Sequence, residues 1–215
     1  MLKRKMEDKI RLFMEKQSKA LLITGARQTG KTHIIRQYAK DMGKNLVEIN
    51  FLENKSAVSL MDAASDSKDI LLRISALTDV PLEEGKTLIF FDEVQECPEI
   101  VTAIKFLVED GKYQYLLSGS LLGVELKDIR SVPVGYMDVY EMYPLDFEEL
   151  RQCYQKRIAV DKIIHEKMME LFRLYLMVGG MPEAVNTYIK TNNLKQVDEI
   201  QKGIVRLYKK DIEKY

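Results

Sequence analysis

The sequence predicts an α/β fold, in which a parallel β-sheet is flanked by helices and followed by a small all-helical part. Two apolar runs, Ala20–Ile23 and Leu88–Phe91, are typical of strands that are buried on both faces of a parallel sheet. Polar residues and then a helical pattern follow each run, and this alternation indicates an α/β protein. Beyond Pro144 the patterns are helical only, so we predict two parts, 1–145 and 146–215.

A glycine-rich loop follows the first strand. Gly25–Thr32 matches G-x-x-x-x-G-K-[ST], the phosphate loop of P-loop NTPases, and the spacing of Ile34, Ile35 and Tyr38 predicts a helix directly after it. The glycines allow a tight turn whose N–H groups point into one concavity, and the helix N-terminus adds a positive dipole. We therefore predict that nucleotide phosphates contact the following residues: Gly25, Ala26, Arg27, Gln28, Thr29, Gly30, Lys31, Thr32 and His33.

Two side chains of this loop have individual roles in the prediction. Lys31 would reach the β- and γ-phosphates as a point charge, which makes it a candidate catalytic residue. The hydroxyl of Thr32 would coordinate Mg2+.

The second buried strand ends in two acids, Asp92 and Glu93. A parallel strand reaches the ligand-binding edge of its sheet at this end. In a P-loop protein an acid at this place holds the Mg2+ that the loop threonine also holds, and we assign that role to Asp92. Glu93 is the candidate that orients and polarises a water for attack on the γ-phosphate.

Ser118 and Ser120 complete the set of candidate catalytic residues. They follow a strand predicted at Tyr113–Leu117. In an NTPase sheet, a small polar residue at the tip of the strand beside the acid-bearing strand can sense the γ-phosphate, and both serines are eligible. Ordinary turn serines have the same sequence pattern.

The remaining elements follow from spacing and from turn residues. The predicted strands are Asn45–Phe51 and Gly135–Tyr143. The predicted helices are a basic amphipathic one at Leu2–Lys16 whose charged face, which includes Arg4, is solvated, one at Leu60–Leu77 with a break around 65–67, and those at Pro98–Gly111, Phe147–Tyr154, Ile163–Met177, from Pro182 onward and at Val197–Tyr215. Asp146 and Glu149 form an acidic version of a capping box at the start of one of them. Leu121–Val134 is predicted as loop and short helix with an exposed Arg130.

Composition excludes several classes of protein. The formal net charge is zero, which argues against a general nucleic-acid coat protein, although a local basic patch is compatible with it. Apolar runs are far shorter than the roughly 20 residues that a membrane span requires. The two cysteines, Cys97 and Cys153, are far apart and indicate free thiols in a reducing cytoplasm.

Five stretches together resemble one family, the prokaryotic AAA+-type ATPases that carry a C-terminal DUF4143 region. The stretches are Gly25–Thr32, Phe91–Gln95, Leu117–Ser120, Met142–Glu149 and Gly179–Val185. The resemblance implies an ASCE-type parallel sheet with a helical lid. It further implies that Gly179–Pro182 lies in the lid near the nucleotide, and that Lys31 with Thr32 and Asp92 with Glu93 are the Walker A and Walker B residues.

The chain departs from this family in one respect. Many members have an arginine after the glycine that precedes the Pro-Leu stretch, whereas Tyr136 follows Gly135 here. Arg130 is then a weaker candidate for an arginine finger. The last helical pattern has no stop signal, so we expect a truncated chain that ends at the start of a C-terminal region.

The sequence therefore predicts Mg2+-dependent ATP binding and hydrolysis coupled to conformational change. Two alternatives use the same pocket: a nucleotide-gated binding switch with little turnover, and half of a helicase-like core, since Asp92–Gln95 resembles a DExQ box. The expected cofactors are ATP and Mg2+. A homo-oligomer or a protein partner through the missing C-terminal region is compatible with the sequence, nucleic acid is not indicated, and a membrane is not expected.

Overall fold

A computed structural model describes residues 2–16, 18–62, 64, 66–120, 133, 135–155 and 164–213. The chain divides into two compact units. The first is Met6–Met142, and the second combines the N-terminal residues up to Lys5 with the chain from Tyr143 onward. The functional division into an ATPase core at 1–145 and a lid at 146–215 stays a prediction.

The first unit contains a sheet whose described strands all run parallel. They are β1 (Ala20–Gly25), β2 (Asn45–Asn50), β3 (Thr87–Asp92), β4 (Gln114–Ser120) and β5 (Met137–Glu141). Their order across the sheet is β2-β3-β4-β1-β5. The predicted α/β class with a parallel, helix-flanked sheet is confirmed.

Helices cover both faces of this sheet. In chain order they are α1 (Lys5–Lys16), α2 (Lys31–Asp41), α3 (Lys55–Asp62), α4 (Ser67–Leu77) and α5 (Pro98–Asp110), with a short 3-10 helix at Val94–Glu96 before α5. Since successive side chains of a strand point to opposite faces, Ile89 and Phe91 of β3 join the core under α3, α4 and α5, while Leu88 and Phe90 join the core under α1 and α2. This double burial explains the continuous apolar run.

Two predicted element boundaries were wrong. The strand that was expected to end at Leu117 runs through Ser120, so its serines are buried strand residues rather than turn residues. The helical stretch that was expected to begin at Leu60 begins at Lys55, whereas the break expected around 65–67 is confirmed: it separates α3 from α4, and Asp66 caps α4 by accepting a 2.8 Å hydrogen bond from the Asp69 N–H. The prediction for Leu121–Val134, including Arg130, lies outside the described residues apart from position 133.

The second unit is helical in its described part. It contains α6 (Phe147–Gln155), α7 (Ile164–Val178), α8 (Pro182–Thr191) and α9 (Leu194–Ile212). Their apolar faces meet in one core, which includes Leu145, Leu150, Val178, Ala184, Val185 and Val197. The predicted capping box is confirmed, because Glu149 donates its N–H to Asp146 Oδ1 at 2.8 Å and Asp146 donates its N–H to Glu149 Oε2 at 3.1 Å.

A buried ion pair joins the first residues of the chain to this unit. Arg4 Nε lies 3.2 Å from Glu149 Oε1, and Arg4 Nη2 donates a 2.6 Å hydrogen bond to the carbonyl of Tyr143. The sequence prediction placed Arg4 on the solvated basic face of the first helix, and the structure buries it at 7% exposure instead. Breaking such a pair by removing one partner costs about 3–5 kcal/mol, because the remaining charge stays buried.

No helix in the described part of the chain combines the length and the apolar character that crossing a membrane requires.

Candidate nucleotide-binding site

Strand register assembles polar residues at the carboxyl edge of the sheet. Asn50 at the end of β2 is the partner of Asp92 at the end of β3, and Gly25 at the end of β1 is the partner of Ser120 at the end of β4. Because β4 lies between β1 and β3, its two serines come between the glycine loop and the acid pair. This edge is where parallel α/β sheets bind ligands.

The loop between β1 and α2 uses left-handed backbone at three positions. The φ angles are 145° at Gly25, 64° at Gln28 and 97° at Gly30. Alternation between left-handed and right-handed residues turns successive N–H groups into one concavity, which is a nest suited to an anion. Gln28 and His33 are exposed, whereas Thr29 is buried and its hydroxyl donates to the carbonyl of Ala26 at 2.9 Å.

Gly25 is needed for close packing as well as for its φ angle. A Cβ at this position would lie 2.2 Å from the carbonyl oxygen of Met142, whose N–H donates to the carbonyl of Thr24 at 2.7 Å. No side chain fits there without movement of the backbone. The first residue of the loop is therefore held against the chain that follows β5.

The first turn of α2 has backbone N–H groups that are available to a ligand. Its N-cap residue is Gly30, which has no side chain to accept from the first N–H groups, and the turn contains no acid. The first helical hydrogen bond is donated by the N–H of Ile34 to the carbonyl of Gly30, at 3.0 Å. The amides of Lys31, Thr32 and His33 precede it, as at helix N-termini that bind phosphate.

Lys31 lies inside the loop with its amine on the loop carbonyls. Its Nζ donates to the carbonyls of Gly25 and Ala26, each at 2.9 Å, and the residue is 8% exposed. Burial lowers the pKa of Lys31, while the negative charges of Glu93 and Asp92 act in the opposite direction. A cation that is partly desolvated in this way is a strong partner for phosphate oxygens.

The two predicted Mg2+ ligands are in contact. Thr32 Oγ1 donates to Asp92 Oδ2 at 3.1 Å, and Asp92 is 4% exposed. One hydroxyl oxygen and one carboxylate oxygen on a buried edge fit Mg2+, which in nucleotide sites takes few protein ligands together with phosphate oxygens and waters. Among the described residues, no group of three or more His, Cys, Asp or Glu could hold a metal without such help.

Ser118 and Glu93 also contact Asp92. The Ser118 hydroxyl hydrogen-bonds to Asp92 Oδ1, and the backbone N–H of Glu93 donates to the same oxygen at 3.1 Å. These bonds fix the carboxylate of Asp92 in one orientation. The structure thus brings Thr32, Asp92 and Ser118 together, while the catalytic roles assigned to them stay predictions.

Glu93 has an unfavourable backbone conformation. Its φ and ψ angles are 55° and 49°, in the left-handed region, at the turn from β3 into the 3-10 helix. For a residue with a side chain this conformation costs about 1–2 kcal/mol relative to ordinary helical backbone. Such strain is concentrated at functional sites, where it fixes the direction of a side chain.

The left-handed backbone at Glu93 predicts a difference in stability between two substitutions at that position. Both Glu93→Gly and Glu93→Ala remove the carboxylate, but only glycine relieves the left-handed conformation. We expect Glu93→Gly to be more stable than Glu93→Ala by about 0.5–1 kcal/mol after the greater chain entropy of glycine is subtracted. Thermal unfolding followed by circular dichroism measures this difference.

Glu170, exposed within α7, provides the control for that comparison. At an ordinary helical position glycine is less stable than alanine by about 1 kcal/mol, so the order of the two variants should be reversed. Equal stabilities of the Glu93 pair would contradict the strain at Glu93.

Comparison with known proteins supports the interpretation of this edge. The sequence pattern of the AAA domain matches residues 17–151, which is more than half of the chain. The chain belongs to the AAA domain family. This membership supports a nucleotide-binding ATPase. A search among curated proteins finds no significant match to this AAA chain.

Solved structures share the fold of this AAA chain at low sequence identity. The Walker-type ATPase PABY2304 of Pyrococcus abyssi superimposes with a TM-score of 0.60 at 14% identity, over 100% of this chain and 76% of that one. AMPPCP-bound DnaA from Aquifex aeolicus gives 0.51 at 16%, over 85% and 58% of the two chains. A signal transduction ATPase with numerous domains from Pyrococcus horikoshii gives 0.50 at 13%, over 86% and 29%.

A second pattern matches the C-terminal residues of the AAA chain. Residues 169–215 match a domain of unknown function, DUF8612. The family resemblance in the sequence implied a DUF4143 region instead, and that part of the resemblance is not confirmed. The chain is therefore a member of the AAA family, and its C-terminal residues match a different region from the one that was expected.

Two polar residues at the site were missed by the sequence analysis. Asn50 Nδ2 donates to Asp92 Oδ2 at 3.3 Å, while Asn50 Oδ1 accepts from the N–H groups of Leu52 and Glu53, each at 3.0 Å. Gln95 Nε2 donates to Glu93 Oε2 at 2.5 Å. Asn50 ends β2 and Gln95 lies three residues after the end of β3, and these positions near the carboxyl ends of strands were the available signal. Tyr136, which follows Gly135 where the resemblance led us to expect an arginine, donates its hydroxyl to Glu109 at 2.6 Å.

Proposed function

We propose that this AAA chain binds ATP with Mg2+ and hydrolyses it. One observation carries the proposal: the hydroxyl of Thr32 lies 3.1 Å from the carboxylate of Asp92, although the two residues are 60 positions apart. A glycine turn that only begins a helix does not require a buried carboxylate beside Thr32. A Mg2+ ion held by both Thr32 and Asp92 would explain why the two side chains lie together.

The loop and Lys31 bind the phosphates in this proposal. Amides of the nest and of the first turn of α2 surround the phosphate oxygens, and Lys31 exchanges its two carbonyl contacts for β- and γ-phosphate oxygens. Thr32 and Asp92 would hold Mg2+, which neutralises charge on the phosphates when it is bound. Catalysis of phosphoryl transfer depends mainly on such positioning and electrostatic stabilisation.

Glu93 is the proposed base or orienting group for the attacking water. Glu93 directly follows Asp92, the proposed metal-binding acid, and stands in left-handed backbone at the turn into the 3-10 helix. Ser118 acts by orienting Asp92, which it contacts, and Ser120 marks the tip of β4 beside the loop. Both serines are proposed sensors of the γ-phosphate.

We further propose that the nucleotide state is transmitted to the helical residues from 146 onward, with Gly179–Pro182 in the part that responds. A homo-oligomer or a protein partner would receive that signal. The sequence resemblance supports this step.

Phosphate release under multiple-turnover conditions tests the proposed reaction. The wild type should release phosphate from ATP only with Mg2+. Glu93→Gln should lower kcat by roughly 100-fold or more, the usual contribution of a general base, while ATP affinity changes little. Glu96→Gln is the matched control, because the Glu96 carboxylate is engaged 2.7 Å from Lys55 Nζ outside the site, and it should retain the wild-type rate.

A nucleotide-gated switch with little turnover is the second candidate. The 2.5 Å hydrogen bond from Gln95 favours it, because a carboxylate that is already engaged is less available to a water. If the wild type binds ATP but releases no phosphate, the switch replaces the ATPase.

A further inference from the structure

The side-chain amide of Gln95 connects two of the proposed catalytic residues. Its Nε2 donates to Glu93 Oε2 at 2.5 Å, and its Oε1 accepts from the backbone N–H of Ser120 at 3.4 Å. Glutamine has both a donor and an acceptor on one rigid plane, so a single side chain can make both bonds. Glutamate lacks the donor, and methionine makes neither bond well.

The backbone around Gln95 is well anchored. Gln95 is the middle residue of the 3-10 helix, which is closed by hydrogen bonds from Glu96 N–H to the Glu93 carbonyl at 3.0 Å and from Cys97 N–H to the Val94 carbonyl at 3.1 Å. Val94 and Cys97, on either side, are fully buried. The position of the amide therefore depends on the core and on its two partners.

The other end of the connection lies beside the phosphate loop. Ser120 is the register partner of Gly25, the first residue of that loop. Its bond to Gln95, at 3.4 Å, is near the upper limit for a hydrogen bond, so a small displacement of the β4 tip would strengthen or break it. The bond to Glu93 is charge-assisted, because its acceptor is a carboxylate, and the carboxylate would follow the amide.

We propose that Gln95 is a positioning residue that sets the direction of the Glu93 carboxylate according to the position of the β4 tip. The inference rests on the proposed ATPase function. It adds to that function a residue that couples the β4 tip at Ser120, where the γ-phosphate is proposed to be sensed, to Glu93, the proposed water-orienting acid. Within the described part of the chain, the side-chain hydrogen bonds of Gln95 go to Glu93 and Ser120 rather than to the phosphate loop or Asp92, so its effect should appear in kcat and not in nucleotide affinity.

Steady-state hydrolysis and equilibrium nucleotide binding by Gln95→Glu and Gln95→Met test this role. Gln95→Glu retains the shape and an acceptor for the Ser120 N–H but loses the donor to Glu93. We expect kcat to fall roughly 10- to 100-fold in both variants, the size of effect that misplacement of a catalytic group produces. The Kd for ATP should stay within about 2-fold of the wild type.

Two controls separate positioning from general damage. Gln37→Met removes a similar amide–carboxylate bond, 2.6 Å from Gln37 Nε2 to Asp41 Oδ1 on α2, and should leave kcat unchanged. In a Glu93→Gln background, Gln95→Met should lower the residual rate no further, because a residue that acts through Glu93 is not additive with it.

The outcomes distinguish the two proposals. Wild-type protein that binds ATP and releases no phosphate overturns the ATPase assignment and the role of Gln95 with it. If the wild type hydrolyses ATP and the Gln95 variants have the same kcat, the role of Gln95 is overturned and the ATPase assignment is retained. A parallel loss of kcat, ATP affinity and melting temperature, or additivity with Glu93→Gln, also overturns it and shows a structural role.

Discussion

Removing the amine of Lys31 should weaken nucleotide binding by roughly 100-fold. Lys31 is the buried cation of the loop, and its Nζ already lies where the loop carbonyls converge. Charge-assisted hydrogen bonds contribute about 1.5–3 kcal/mol each, so at the lower end of this range the loss of two phosphate contacts is worth about 3 kcal/mol, or roughly two decades in Kd. Titration of the protein with a fluorescent ATP analogue measures the change.

Two variants make this prediction specific to charge. Lys31→Ala removes the whole side chain, whereas Lys31→Met keeps most of its apolar stem in the buried position. Both should lose the affinity, and Lys31→Met should keep the wild-type melting temperature more closely. An affinity for ATP that is unchanged in Lys31→Met would contradict the assignment of the phosphate loop.

The pH dependence of nucleotide affinity is an independent test of the role of the Lys31 amine. Because burial lowers the pKa of Lys31, its amine loses the proton at a lower pH than a solvated lysine does. Nucleotide affinity should therefore decline as the pH is raised toward that pKa, since only the charged form binds phosphate strongly. In Lys31→Met this alkaline decline should be absent.

Gly180→Ala should be strongly destabilising, although Gly180 belongs to the second unit and not to the phosphate loop. A Cβ at Gly180 would lie 2.1 Å from the carbonyl oxygen of Leu145, and the N–H of Leu145 donates to the Gly180 carbonyl at 2.7 Å. The two backbones must separate to admit a methyl group, which would break this bond and open the core around Leu145. We expect a loss of about 3 kcal/mol.

Gly203 provides the matched control for Gly180. It lies within α9, and a Cβ there would meet nothing within 4 Å. Gly203→Ala should raise the stability by about 0.5–1 kcal/mol, because alanine favours the helix. In thermal unfolding, the two variants should shift the midpoint in opposite directions, by several degrees downward for Gly180→Ala and by a few degrees upward for Gly203→Ala. A Gly180→Ala midpoint equal to that of the wild type would contradict the close backbone contact.

Much of the candidate site was predictable because its parts are contiguous in sequence. The glycine-rich loop is one stretch in which glycine, lysine and threonine occur at set intervals, and its local backbone conformation forms the proposed anion site. The acids at the end of β3 were predictable because an apolar run followed by two charged residues is typical of the carboxyl end of a buried parallel strand. The capping box of α6 was predictable for the same reason, since Asp146 and Glu149 are three residues apart.

Contacts between distant stretches were not predictable in this way. Asn50 and Asp92 are 42 positions apart, and Gln95 and Ser120 are 25 apart. Their meeting depends on the register of β2 with β3 and on the place of β4 between β3 and β1. A shift of one residue in either register would turn the side chains to the opposite face of the sheet.

The burial of Arg4 was also not predictable from the sequence. Its sequence neighbours are charged, and a basic amphipathic helix with a solvated face was the natural prediction. Its partner, Glu149, is 145 positions away, and only the packing of the second unit brings the two together.

The sequence by itself determined the α/β class, the glycine-rich loop that is proposed to bind an anion, and the identity of the two acids at the end of the second buried strand, because these depend on local backbone conformation and on hydrophobic periodicity. Only the tertiary structure decided that Thr32, Asn50 and Ser118 each contact Asp92, that Glu93 is held in left-handed backbone, and that Gln95 connects it to the tip of β4. The physical reason is that strand register, strand order and close backbone approach are set by the packing of the whole unit, and no short stretch of sequence contains that information.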